Sequence, residues 1–287
     1  MRAILRLARP LYLLLAALTY SFGVSIANYL GKPFRSDSFW LGLAGVVLAQ
    51  MSMSLLSEVF RLDTEPLSEN ETRRERSVIR NNALYVSVAA VTVIAVIAFL
   101  LYQNLRLSPA SFSFLLLSLI FVLAYSMPPF RNRGFGEFLL AAHLGYIIPS
   151  IAYLLQANET HRFLTLSLPL TLLAFAYFIV MDFPSFASDQ KYNRTTFLTR
   201  LGWERVVPLH HIFLIFAYIF FAISPALGIS LSLIWPAFLT LPFAIFQIFL
   251  VRGISLGAPA NWTLLTATAL AVFGLTTYFL TLTFWLR

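Results

Sequence analysis

Two short acidic segments hold the residues best suited to chemistry. Glu58, Arg61 and Glu65 are separated by three and four positions, so on a helix they share one face, and Asp182, Ser185 and Asp189 are separated in the same way. Glu58 and Asp182 each close an apolar run, where a carboxylate needs water, a cation or a metal. Two such faces meeting at the mouth of a helix bundle would suit Mg2+, which takes few protein carboxylates and leaves room for phosphate oxygens. Asp63 stands about 140° around an ideal helix from Glu58, so it joins the set only where the helix has ended. Acidic residues at this spacing are as common on solvated helix ends, and spacing alone leaves both readings open.

Between the two segments lies AYSMPPFRNRGFGE, residues 124–137. Its paired prolines cannot donate backbone hydrogen bonds and stop the helix before them, while Gly134 and Gly136 permit a tight turn into the next. Read blandly, this is an interhelix loop. Tyr125, Arg131 and Arg133 would nonetheless face the same carboxylates, with donors suited to a diphosphate held through a metal.

The elements that must position these groups are apolar helices. The 287 residues are 59% hydrophobic and 11% charged, and mean hydropathy is +0.80, values that place the chain among membrane proteins. A hydrocarbon core of about 30 Å takes about 20 apolar residues to cross. Nine such runs occur, roughly at 11–30, 39–60, 83–103, 109–126, 137–156, 163–182, 206–224, 230–251 and 263–286. Strand alternation is absent, so the expected fold is all-α, a polytopic bundle of nine spans forming one domain over 1–287. The first run follows Arg2, Arg6 and Arg9 like a signal peptide, but is long enough to read as an uncleaved helix. No cysteine is present, which excludes disulfides, thiolate metal sites and cysteine nucleophiles.

A formal charge of +8 would point to nucleic acid in a soluble protein; here it is an orientation signal, and no nucleic-acid partner is expected. With the N-terminus cytoplasmic, fifteen Lys and Arg fall on the inner face and five, Lys32, Arg35, Arg106, Arg162 and Arg287, on the outer. Ten of the twelve acidic residues share the inner face, leaving Asp37 and Glu159 outside. The expected location is therefore the cell membrane, with the polar cap in the cytoplasm.

Three stretches, QMSMSLLSEVFRLDTEP, AYSMPPFRNRGFGE and MDFPSFASDQKYNRTTFLTRLG, together with LARP at 7–10, resemble the UbiA superfamily of intramembrane prenyltransferases. That family has nine helices, one acidic motif after the second, another after the sixth, and a Tyr-Ser-x-Pro-Pro-x-Arg segment between them. The resemblance spans nearly the whole chain, but both motifs depart from the pattern. Where the first usually reads Asn-Asp-x-x-Asp-x-x-x-Asp, this chain has Ser57, Glu58, Arg61 and Glu65. Where the second reads Asp-x-x-Asp-x-x-x-Asp, it has Asp182, Ser185 and Asp189. A cation beside a divalent metal is unfavourable by a few kcal/mol at an effective dielectric of about 20, enough to decide occupancy.

The resemblance implies Mg2+-dependent transfer of an isoprenoid from a polyprenyl diphosphate to a lipid-soluble, commonly aromatic, acceptor, as in quinone, haem or chlorophyll synthesis. By the same resemblance Glu58, Glu65, Asp182 and Asp189 hold Mg2+, with Asp63 in reserve. Arg131, Lys191, Arg194 and Arg61 grip the diphosphate, with Arg73 and Arg74 closing over it. Tyr125 contacts the diphosphate or the reacting carbon, and Arg9 orients a charged acceptor. The altered positions Ser57, Arg61 and Ser185 support a second reading, a UbiA-like protein that binds a prenyl lipid or a protein partner without turnover. A transporter is disfavoured, because the charges crowd one face and avoid the bilayer middle.

Overall fold

In the computed structural model, residues 2–61, 67, 72–104, 107–127 and 134–287 are described. Among them no strand occurs, and nine helical segments are long and apolar enough to cross a membrane. These are Pro10–Tyr29, Ser36–Val59, Arg73–Gln103, Pro109–Ser126, Gly136–Ala157, Arg162–Asp182, Trp203–Leu227, Leu231–Ser255 and Trp262–Leu286, the first to ninth spans below. With no water in the bilayer core to satisfy backbone N–H and C=O groups, helices that satisfy their own are the form such apolar runs must take.

Most span limits lie within a few residues of the apolar runs, but the third span starts at Arg73 rather than near residue 83. The search for apolar residues finds the part of the helix that sits in lipid. The start is set by polar chemistry instead: Thr72 Oγ1 accepts from the Glu75 N–H while the Glu75 carboxylate accepts from the Thr72 N–H, a reciprocal cap that carries the helix about three turns beyond its apolar part.

The fifth and sixth spans are the most buried of the nine and the third the least, so the bundle is built around the former pair. From Leu173 to Val180 every residue of the sixth span is buried, as expected of a helix with neighbours all round. Close approach depends on small residues. A Cβ on Gly23 would lie 2.1 Å from the Pro149 carbonyl oxygen where the first and fifth spans cross, and one on Gly145 would lie 2.5 Å from Thr171 Cα where the fifth meets the sixth. Gly145 belongs to a π-helical turn, His143–Ile147, within the fifth span. There the buried His143 ring reaches Ser118 Oγ at 2.9 Å and Gln50 Oε1 at 3.2 Å, satisfying a polar group deep in the bundle.

At the end of the bundle that carries the N-terminus, a short helix, Arg2–Leu7, precedes the first span. Two more, Phe186–Lys191 and Phe197–Leu201, join the sixth span to the seventh and cap that end. Phe183 stacks on Trp203 with ring centroids 4.5 Å apart, closing this connection on itself. At the opposite end Lys32 pairs with Glu159, tying the loop after the first span to the one after the fifth.

Candidate active site

The capped end encloses a cavity of about 530 Å³ lined by both charged and aromatic groups. Arg9 reaches it from the first span's start, Ser57 and Arg61 from the second span's end, Tyr125 from the fourth, Glu137 from the fifth and Asp182 from the sixth; Ser185 and Arg194 come from the cap. The ends of spans two and six thus meet at one cavity. A second groove, of about 240 Å³ and almost wholly apolar, runs between spans two to five, past Ala49, Ile94, Leu115 and Val122.

The described part of the first acidic motif is locked in an ion cluster. Glu58, only 3% exposed, forms an ion pair with Arg61 Nε at 2.6 Å and accepts from Arg9 Nη2 at 3.2 Å. Arg61 is brought there by its three-residue spacing from Glu58. Arg9 arrives from 49 positions away because its backbone adopts φ 52°, ψ 73° immediately before Pro10. A left-handed arginine costs roughly 1–2 kcal/mol, and proline restricts the residue before it as well, so the surrounding contacts hold Arg9 in place. Its guanidinium lies 5.3 Å from the Tyr12 ring centroid and 3.5 Å from the Tyr125 hydroxyl oxygen.

The second acidic motif is arranged differently. Asp189, 2% exposed, accepts from the Ser185 hydroxyl at 2.8 Å and pairs with Arg194 at 3.5 Å. Burial raises its carboxyl above the ordinary range, and Arg194 and the Ser185 hydroxyl oppose that rise. Asp182 faces Glu137, the charged neighbour that acts on it most strongly, ahead of Arg194 and Asp189. Glu137 Oε1 accepts from the Phe197 N–H at 3.1 Å, which ties the fifth span to the cap. Asp182 and Glu137 lie close enough for a side-chain hydrogen bond between the two carboxyl groups, and neither Glu137 Oε2 nor Asp182 Oδ2 receives an N–H or O–H from elsewhere in the described protein. Such a pair is one that a cation could bridge.

Of the expected site residues, Arg9, Arg61, Tyr125, Asp182 and Arg194 line the cavity, while Glu58 and Asp189 stand just behind it, each bound to a lining residue. Arg73 and Arg74 are exposed on the first turn of the third span, and Lys191 is exposed over the Tyr192 ring at 5.4 Å; none of the three lines the cavity. Asp63, Glu65 and Arg131 lie outside the described residues. Sequence reasoning passed over Glu137 and Tyr12. Glu137 ends the Arg-Gly-x-Gly-Glu stretch and was legible as a motif member, whereas Tyr12 had only its three-residue offset from Arg9 to mark it.

Among the described residues, no group of three or more Asp, Glu, His or Cys side chains stands ready to hold a metal without help. Mg2+ does not need one, since it is commonly held by one or two carboxylates together with substrate phosphates and water. Asp182 and Glu137, neighbours on the cavity wall, could meet that requirement. Glu58, closed between two guanidinium groups, does not.

A family model described as the UbiA prenyltransferase family matches residues 14–265. No curated protein matches the chain. Among solved structures, one described as digeranylgeranylglyceryl phosphate synthase in membranes is 13% identical, covers 100% of this chain and 99% of its own, and superposes with a TM-score of 0.70. An apo UbiA homologue from Aeropyrum pernix K1 is 16% identical with a TM-score of 0.64, covering 91% of this chain and 96% of that one. A UbiA homologue from Archaeoglobus fulgidus bound to DMAPP and Mg2+ is 14% identical, covers 98% of both chains and has a TM-score of 0.62. At these identities the likeness is one of fold.

Proposed function

Because the chain belongs to the UbiA prenyltransferase family, we propose that it is an intramembrane prenyltransferase that moves an isoprenoid from a polyprenyl diphosphate to a lipid-soluble acceptor, with Mg2+ as cofactor. The observation that carries this reading is the single cavity in which Arg9, Arg61 and Arg194 stand opposite Asp182 and Glu137. A structural neighbour bound to DMAPP and Mg2+ supports the same ligand class.

Three guanidinium groups, of Arg9, Arg61 and Arg194, stand with four carboxyl groups, of Glu58, Glu137, Asp182 and Asp189, among the described residues around the cavity. When bound, Mg2+ would supply positive charge beside the diphosphate and help neutralise the leaving group as the carbon–oxygen bond breaks.

The protein's own groups do the rest. Arg194 and Arg61 donate to the diphosphate oxygens, and Arg9, restrained by Glu58, closes the same pocket. As the allylic carbon–oxygen bond breaks, its electron pair leaves with the diphosphate; the carbon faces the Tyr12, Tyr125 and Phe178 rings that line the wall, whose faces stabilise positive charge. The acceptor's nucleophile then bonds to that carbon and gives up its proton to the released diphosphate. The tail follows the apolar wall at Leu140, Phe178 and Met181. An aromatic acceptor, of the kind used in quinone synthesis, suits a cavity walled by rings.

Purified protein given labelled farnesyl or geranylgeranyl diphosphate, with Mg2+ or with EDTA, tests this. Metal-dependent release of diphosphate, lost in Asp182→Ala, is the expected result. Tight retention of the prenyl diphosphate without release would show instead a prenyl-lipid binder, a reading that the ion cluster around Glu58 would then explain.

A further inference from the structure

We propose that the divalent cation is held by Glu137 of the fifth span together with Asp182 of the sixth, and that Glu58 is withdrawn from it into the ion cluster with Arg9 and Arg61. This deepens the prenyl diphosphate reading above and rests on it. Three observations carry it. Glu137 is 6% exposed yet lines the cavity. Asp182 lines the same cavity, close enough to Glu137 for a side-chain hydrogen bond, and no N–H or O–H from elsewhere in the described protein reaches Glu137 Oε2 or Asp182 Oδ2. A cation can bridge two such neighbouring carboxyl groups, and one or two carboxylates are the number that Mg2+ takes beside a diphosphate.

The geometry also explains how the altered acidic motifs are accommodated. Arg61 places a guanidinium where an acidic residue is the family's habit, and it draws Glu58 away at 2.6 Å. Ser185 gives up another carboxylate and spends its hydroxyl on Asp189. The charge lost at these positions is restored from a different helix by Glu137. Its other oxygen, fixed on the Phe197 N–H at 3.1 Å, sets the carboxylate's direction as an outer hydrogen bond does for a metal ligand.

That tether is also the rival explanation: Glu137 would serve only to hold the cap. Glu137→Gln separates the two, because the amide keeps an oxygen for the Phe197 N–H while losing the charge. Mn2+ binding to the full chain, followed by electron paramagnetic resonance with inorganic pyrophosphate present, is the readout. Glu137→Gln and Asp182→Asn are each expected to weaken Mn2+ by about tenfold or more, while pyrophosphate binding in EDTA grows no weaker. Mn2+ affinity in Glu137→Gln within about twofold of the parent would overturn the proposal. Glu137→Cys provides a second measurement that does not depend on that affinity. The parent chain has no cysteine, so an ultraviolet thiolate-to-metal band on adding Cd2+ would arise at this position alone, and its absence in folded protein would overturn the assignment. Prenyl transfer fails for want of a suitable acceptor while Mn2+ still binds, so failure of the functional reading and failure of this one are distinguishable.

Discussion

Arg61 shows how one substitution changes the work of its neighbours. A guanidinium beside Glu58 turns that carboxylate from a free ligand into the shared counter-ion of two cations, Arg61 at 2.6 Å and Arg9 at 3.2 Å. Since Glu58 keeps Arg9 when Arg61 is removed, Arg61→Ala avoids the several kcal/mol cost of a wholly unpaired buried charge. It does remove a charged donor from the cavity wall, a contact worth about 1.5–3 kcal/mol. Its expected effect is therefore on ligand affinity: competition against a labelled prenyl diphosphate should show about tenfold weaker binding or worse, by the same charged-contact range. Unchanged affinity would mean that Arg61 serves Glu58 alone. Glu58→Gln removes the carboxylate that Arg9 and Arg61 share and is expected to tighten metal-free pyrophosphate binding, which the same competition in EDTA would reveal.

At the scale of elements, the site depends on how closely the spans approach. Gly145 stands where the fifth span crosses the sixth, and these are the two helices that present Glu137 and Asp182. A valine there would meet Thr171 backbone atoms that cannot swing aside, an overpacking of the kind that costs about 1–3 kcal/mol. Gly145→Val is expected to lower the thermal midpoint in detergent and, by separating the two carboxylates, to weaken Mn2+ more than the loss of stability accounts for. Equal stability with normal metal affinity would show that the crossing has slack. The spans were legible in sequence because twenty apolar residues have few other uses, and the helical faces of Glu58 with Arg61 and of Asp182 with Ser185 followed from spacing. Partners from distant segments were not legible. Nothing in the local pattern says that Arg9 will turn left-handed and reach Glu58, or that Glu137 will face Asp182 across two spans. Arg73, Arg74 and Lys191 were basic residues near the right end of the bundle, and they are exposed and stand off the cavity wall.

Over the whole molecule, charge is divided as sharply as the cavity suggests. The groups that line the cavity, the N-terminus and the two capping helices share one end, and the Lys32–Glu159 pair marks the other. Counted along the sequence with the spans alternating, fifteen of twenty Lys and Arg are expected on the side of the cavity. Since Lys and Arg near span ends hold a loop on the cytoplasmic side while Asp and Glu contribute little, this end is expected to face the cytoplasm, where water-soluble diphosphate and Mg2+ are at hand. The absence of native cysteine makes the test direct. Ser188 on the cap and Thr160 at the opposite end are both exposed, so a cysteine at either position is within reach of a maleimide. In intact cells a membrane-impermeant maleimide is expected to label Thr160→Cys at once and Ser188→Cys only after permeabilisation. The reverse pattern would put the cavity on the outer face and leave the charge excess without its usual cause. It would also require the diphosphate to be delivered from outside, an arrangement that the fold allows but the basic cap opposes.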